Sequence, residues 1–354
     1  MFSNIDALEI KKINESFKYL TITEGAFSKS RENDLLFIKE WISSSIYSKR
    51  TKKLAKFVLL TILEEISYTR KDGQYLRWDY RSSKVISANE KRKAIGKPPI
   101  KTILDKGKLP TVKSAFLSAF KDIIDDISYA QAVSRKNNSR QTFINGSCLF
   151  ELPKLLSNTV DGVITSPPYC NRYDYTRTYA LELNFLGKNN QTIKQLRQDL
   201  LSATVENKSK LIELEEYYRS IGKEKHFEET KKIIDNNTVL EEVVTALNSR
   251  YINGEVNNKG IIRMVEGYFS ELTFIYSEIF RIMKPGSKIA VVNDNVRFAG
   301  EVIPVDFMSC DIARSIGFKV KKIYCLKQKK GNSSQQMKKY GRVPLRKSIT
   351  IWEK

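Results

Sequence analysis

A strand that runs into two prolines leaves a chain few ways to continue. Residues 160–169 read Val-Asp-Gly-Val-Ile-Thr-Ser-Pro-Pro-Tyr, a short apolar run of strand length followed by Pro167 and Pro168. Neither proline can donate a ladder hydrogen bond, and neither suits a helix interior. The strand must stop near Thr165 and turn through a stiff corner. The next residues, Cys-Asn-Arg-Tyr-Asp-Tyr, make that corner polar and aromatic.

The pattern on either side sets the fold class. From residue 140 onward the chain reads as a short strand at 141–147, a short helix at 149–156 and the buried strand at 160–165. A long polar helical stretch, 188–258, comes next. It leads to an amphipathic helix at 267–284 that ends on Pro285-Gly286. A strand at 288–294, a helix at 304–317 and strands at 319–328 and 347–354 complete it. Strands alternating with helices predict an α/β fold with a mostly parallel sheet covered on both faces. The last two strands have no helix between them and are expected to pair antiparallel at one edge. The first 139 residues read differently. Residues 1–66 are mainly helical, 67–82 contain a Lys-Asp-Gly turn dense in Tyr, Trp and Arg, 84–110 read as a basic surface loop, and 111–127 return to helix with Thr111 as N-cap. Two domains follow, 1–139 and 140–354, the second with a helical insertion at about 188–258.

Charge narrows the partner. Lys and Arg number 61 against 40 Asp and Glu, a net of +21 spread along the chain. A field of that sign suits a polyanion, most simply nucleic acid. The four cysteines form no CxxC pair, and there is a single histidine, His226. That argues against a zinc site and against a Ser-His or Cys-His relay. The cysteine usage and the lack of a signal peptide predict a cytoplasmic protein, and no apolar run reaches membrane-span length.

At the carboxyl end of a strand in an open α/β sheet, the corner stands where ligands bind. Its residue types suit an exocyclic amine on a nucleobase, whose lone pair is delocalised into the ring. A hydroxyl oxygen (Ser166) and the carbonyl of Pro167 can accept both amino hydrogens. Pro168 keeps the turn stiff, and Tyr169 can stack on a base that has left the duplex. No covalent intermediate is required.

Thr-Ser-Pro-Pro-Tyr after Val-Asp-Gly-Val-Ile resembles the catalytic motif of the S-adenosylmethionine-dependent amino-methyltransferases of DNA. The Ser-Pro-Pro-Tyr form resembles the cytosine-N4 enzymes of restriction–modification systems, with adenine-N6 enzymes the nearest alternative. Segments 144–164, 277–295 and 311–328 resemble the family's flanking strands in the same order. The resemblance implies a Rossmann-like methyltransferase sheet, catalytic Ser166, Pro167, Pro168 and Tyr169, and cofactor contacts at Thr165, Gly146 and Ser147. It also implies double-stranded DNA as partner, with Arg172, Tyr173, Arg177, Lys338, Lys339 and Arg342 facing it. Cys170 invites a C5-cytosine reading, but that family places its cysteine directly after a proline, and here Tyr169 intervenes.

The family's glycine-rich cofactor loop after a first strand finds no match among the 16 glycines. The sheet is therefore expected to be incomplete, with its 160–165 strand unpaired on one side. A second polypeptide carrying the glycine-rich loop is the expected partner. A truncated chain, a cryptic loop and a catalytically silent DNA-binding or specificity subunit remain the alternatives.

Overall fold

The computed structural model describes residues 2–72, 75–101, 103–134, 140–327, 340–341 and 343–354. It begins with α1 (Phe2–Asp6), α2 (Lys29–Ser44), α3 (Lys49–Ile66), β1 (Thr69–Asp72), β2 (Tyr75–Trp78), α4 (Ser83–Ala94) and α5 (Val112–Ser134). Next are α6 (Cys148–Glu151), β3 (Val160–Thr165), α7 (Tyr175–Thr178), α8 (Ala180–Phe185) and α9 (Asn190–Asp199). Then follow α10 (Leu211–Ser220), α11 (Glu224–Asp235), α12 (Thr238–Ile252) and α13 (Gly260–Ile282). The chain closes with β4 (Met283–Asp294), β5 (Val296–Phe298), β6 (Glu301–Ile303), α14 (Val305–Ile316), β7 (Lys319–Leu326) and β8 (Lys347–Glu353). It divides into two compact units. One holds Met1–Thr142 with Tyr175–Lys194, the other Phe143–Asp174 with Gln195–Lys354. Among the described residues no helix is long and apolar enough to cross a membrane.

The first unit is built on α2, α3 and α5. Leu35, Ile38, Ile42, Val58, Leu59, Ile66, Val112 and Phe116 are fully buried in its core. Each helix starts on a capping hydroxyl. Ser28, Ser48 and Thr111 accept from the backbone N–H of Arg31, Thr51 and Ser114 at 3.3, 3.2 and 3.1 Å, and each such cap is worth about 1 kcal/mol. The region 84–110 is a loop only in its second half. Its first half is α4, because Ser82 Oγ accepts from the Lys84 N–H and Lys91, Arg92 and Lys93 sit in the last turn, where the helix dipole favours cations. β1 and β2 form an antiparallel hairpin.

The second unit carries a four-stranded sheet in the order β3-β4-β8-β7. β3 and β4 run parallel, while β8 is antiparallel to both β4 and β7. Three strands thus share a direction, but β8 is inserted between two of them. The expected antiparallel pair at one edge is present, with β7 outermost. Two strand boundaries differ from the sequence reading. Residues 141–147 form no strand, and Phe143 is 91% exposed. β4 begins at Met283, directly after α13, so Pro285 and Gly286 belong to the strand rather than to a linker.

The register separates the sheet into two unlike faces, since paired residues share a face. One face carries the rows Val163–Ile289–Trp352–Val320, Thr165–Val291–Thr350–Ile323 and Asn293–Ser348–Cys325. Ile289, Val291 and Trp352 are buried there against α13 and α14, each aliphatic side chain stabilising by roughly 1.5–3 kcal/mol. Tyr276 of α13 meets the Trp352 ring edge-on at 4.9 Å, and Phe280 meets Phe318 at 4.8 Å. Gly317 closes α14 at φ 119°, with the Phe280 ring so near that a Cβ would lie 3.1 Å from it. The opposite face carries Ile164–Ala290–Ile351–Lys322, Val292–Ile349–Tyr324 and Asp294–Lys347–Leu326. None of these side chains is buried.

α13 is less an amphipathic surface helix than the axis of the unit, with buried residues on every side. The polar helices read as an insertion, α10, α11 and α12, pack their few apolar residues around it. Leu214, Tyr218 and Phe227 close on Phe274, and Lys210 Nζ donates to buried Glu271 at 2.7 Å.

Candidate functional site

The corner grows out of the last β3–β4 pair, Thr165 opposite Val291. Pro167 and Pro168 end the ladder. The chain then reverses through local hydrogen bonds: the Asn171 N–H donates to the Tyr169 carbonyl at 2.7 Å, and the Tyr173 N–H donates to Asn171 Oδ1 at 3.1 Å. Between them Arg172 takes φ 66°, a left-handed value that costs a side-chain-bearing residue about 1 kcal/mol or more. Two buried residues hold this reversal from below. Cys170 is fully buried in the core, and Asp174 pairs with Arg197 Nε at 2.9 Å.

Above these anchors Ser166 is exposed, and Pro167, Pro168 and Tyr169 are half-buried. Ser166 Oγ donates to Tyr169 Oη at 3.4 Å, longer than an ordinary hydroxyl–hydroxyl bond. The serine oxygen is therefore only loosely engaged and can turn toward a ligand. Burial pushes the Cys170 thiol up, which makes it packing material and a poor nucleophile.

The ends of β4 and β8 bring polar groups to the same region. Lys347 Nζ stands 5.5 Å from the centre of the Tyr169 ring and 3.9 Å from Asp294 Oδ1. Asp294 Oδ1 is buried with no hydrogen bond. Burial raises its pKa, opposed by Lys347. Buried Asn293 donates through Nδ2 to Tyr268 Oη at 2.9 Å. Sequence reasoning missed Lys347 and Asp294. The available signal was the Asn-Asp-Asn triplet at the carboxyl end of an apolar strand. Lys347 became visible only once the register laid the start of β8 beside that end.

The proposed cofactor residues are not joined to one another. Gly146 and Ser147 lie on the exposed stretch before α6, and among the described residues no hydrogen bond links them to Thr165. The space a Cβ on Gly146 would take is filled by Glu151, with Cγ 2.6 Å away. By themselves these residues make no cradle for S-adenosylmethionine. Two cavities of about 530 and 510 Å³ occur elsewhere in the second unit, one beside His226, Ser277 and Arg281, the other beside Lys210 and Glu271. Neither is lined by the corner.

The basic residues fare differently from one another. Arg172 and Tyr173 belong to the second unit, whereas Arg177 sits on α7 in the first. On α7 Thr176 and Thr178 are buried while Tyr175 is exposed, as is Tyr179 at the start of α8. Three cations near the hairpin are engaged in ion pairs: Lys71 with Glu182, Arg77 with Asp72, and Arg81 with buried Asp79. Arg346 is likewise taken, donating to buried Asp306 through Nε at 2.6 Å and Nη2 at 2.9 Å. Lys338, Lys339 and Arg342 lie outside the described residues.

The mixed α/β sheet is consistent with a methyltransferase fold, and comparison with known proteins gives that class its family: the chain belongs to the Type II methyltransferases. It is 60% identical over 353 residues to the Type II methyltransferase M.BsoBI of Geobacillus stearothermophilus, a match that covers 100% of this chain and 69% of that protein. It is 42% identical over 342 residues to the Type II methyltransferase M.AvaI of Nostoc sp. (strain PCC 7120 / SAG 25.82 / UTEX 2576), covering 95% of the chain and 65% of that relative. The M.AvaI of Anabaena variabilis matches to the same extent. The chain thus spans about two thirds of the length of these relatives. No protein-family model matches it.

Proposed function

We propose that this chain presents the target amine in a DNA amino-methyltransferase of a restriction–modification system, with the N4 of cytosine in duplex DNA as acceptor. The observation that carries the reading is the exposed Ser166 beside Tyr169, on a corner anchored by buried Cys170 and Asp174. A base everted from the duplex stacks on Tyr169. Its amino group donates one hydrogen to Ser166 Oγ and one to the Pro167 carbonyl. Both bonds draw the nitrogen lone pair out of conjugation with the ring and aim it away from the corner. Proline at 167 supplies a carbonyl without a competing N–H, and Pro168 keeps that carbonyl from swinging. Arg172, Tyr173 and Arg177 are proposed to meet the DNA backbone and neighbouring bases, with Lys338, Lys339 and Arg342 adding charge.

S-adenosylmethionine would supply the methyl group. Its main holding surfaces are assigned to a polypeptide segment outside these residues, with Thr165, Gly146 and Ser147 at its border. The test pairs the chain, alone and with the part of M.BsoBI that it does not match, with labelled S-adenosylmethionine and duplex DNA. Mass analysis of the nucleosides then names the methylated base. N4-methylcytosine formed only in the mixture is the expected result, and Ser166→Ala should lower transfer by about 10²–10³ fold, the usual cost of one hydrogen-bonding group at a developing charge, while leaving DNA affinity nearly unchanged. N6-methyladenine would move the acceptor to adenine. Absence of transfer in every mixture would make the chain a silent DNA-binding subunit.

A further inference from the structure

The residues that follow the corner leave the second unit and later return to it. Phe143–Asp174 belong to the second unit, Tyr175–Lys194 to the first, and Gln195–Lys354 to the second again. The excursion is built into the first unit. Leu181 and Phe185 are buried in the core of α2, α3 and α5, and Ala180 and Ile193 close on Leu20 and Leu76. Buried Asn184 accepts from the Leu20 N–H at 2.9 Å and from Thr23 Oγ1, and it donates to the Lys18 carbonyl. Lys39 Nζ donates to the Phe185 carbonyl at 3.0 Å, and Lys71 pairs with Glu182.

Segments inserted into another folding unit ordinarily enter through exposed, flexible linkers. Neither crossing here has that slack. Asp174, the last residue on the outward side, directly precedes α7. The return falls inside α9, whose residues Asn190–Lys194 belong to the first unit and Gln195–Asp199 to the second. A helix cannot stretch at such a point without breaking its own hydrogen-bond ladder. Arg197, on the second half of α9, pairs with Asp174 at 2.9 Å, and its carbonyl accepts from Asn207 Nδ2 at 2.7 Å. The ion pair closes the neck of the excursion, and its acidic member is one of the two residues that anchor the reversal after Tyr169. A shift of α8 and α9 within the first unit carries Arg197 with it, and Arg197 carries Asp174.

We infer that the first unit sets the position of the Ser166–Tyr169 corner through the 175–194 excursion, and that Asn184 is a positioning residue for it. The inference deepens the function proposed above by making presentation of the target amine a task of both units. It rests on that reading for its purpose, whereas its test reads the corner directly and involves neither DNA nor methyl transfer. Absence of transfer in every mixture would therefore leave the result below standing.

Two buried thiols of the second unit serve as reporters. Cys170 lies in the anchor of the corner, and Cys310 lies on α14, outside both corner and excursion. Iodoacetamide labelling of the native full chain, read by mass spectrometry at each cysteine, follows local opening at both. Asn184→Ala removes a buried amide that satisfies three partners; it should raise the Cys170 rate about tenfold or more and leave Cys310 within about twofold of the parent. A role confined to folding of the first unit would lower its melting temperature with both thiols at the parent rate, and general destabilisation would raise the two together. Either result overturns the inference. Lys39→Ala cuts a partly exposed tie to the same segment and spares the buried network, so it remains readable if Asn184→Ala misfolds. A rise of about threefold at Cys170 alone is expected, and an unchanged rate overturns the inference. With Arg197→Gln already in place, Asn184→Ala should add little to the Cys170 rate, because the route is cut. Independent, multiplying increases would overturn the path through Arg197.

Discussion

The Asp306–Arg346 pair offers a direct check on how the carboxyl end of the sheet is held. Asp306 lies in the first turn of α14 with its side chain 1% exposed, and it receives two hydrogen bonds from Arg346, which is 32% exposed. The same knot includes the Asp306 N–H donating to Asn295 Oδ1 at 3.2 Å and the Asn295 N–H donating to the Arg346 carbonyl at 2.9 Å. It ties the start of α14 to the end of β4 and the start of β8, one residue from Lys347. Asp306→Asn keeps the shape and removes the charge. A hydrogen bond to a charged group contributes about 1.5–3 kcal/mol, and breaking a buried pair costs about 3–5. Since Arg346 is a third exposed and recovers water, a loss of about 2–3 kcal/mol is expected, or about 5–10 °C in melting temperature for a unit of this size. Burial alone would raise the Asp306 pKa, but the Arg346 bonds outweigh it and hold the carboxyl below its usual value. The stabilisation is therefore fully present above the ordinary carboxylate range and is lost as pH falls through the lowered value. Calorimetry on the parent, Asp306→Asn, Arg346→Gln and the double variant should show two single losses that do not add. Additive losses, or a gap between parent and Asp306→Asn that closes already between pH 7 and 5, would refute the reasoning.

Asp79 is the equivalent knot in the first unit. It is fully buried and bonded by Arg81 and by the Lys106 N–H at 2.8 Å; burial works against ionisation, yet these bonds bring its pKa down from 3.8 to about 2. That difference corresponds to about 2 kcal/mol, present above pH 4 and lost between about 4 and 2, so Asp79→Asn should remove most of the acid sensitivity of that unit's unfolding as read by circular dichroism. Thiol titration of the native chain should find Cys148 and Cys325 reactive, with Cys170 and Cys310 appearing only on denaturation; rapid labelling of Cys170 would mean that the corner is not anchored in the core as described.

How much of this was legible beforehand depended on whether a residue's role was local. The helix start at Thr111 is legible because the cap reaches its own backbone, and the proline corner follows from chemistry within ten residues. The α4 helix hid inside a stretch whose prolines and lysines looked like loop, although Ser82 was a readable cap. The ion pairs of Lys71, Arg77, Arg81 and Arg346 could not be read, because each depends on a carboxylate whose position only the folded chain sets. An excess of positive charge in the sequence therefore overstated the free cations near the hairpin. Lys347 shows the opposite case: in the sequence it is only the first residue of a terminal strand, and register alone places it by Tyr169.

The corner is held by bonds and burial of its own. The reversal after Pro168 is fixed by Cys170, by the Asp174–Arg197 pair and by the bonds at Asn171, all within the second unit. On the proposed reading, the surface that receives the base is formed before the segment that brings the methyl donor has docked. Binding of DNA by this chain alone, without transfer, follows from that arrangement.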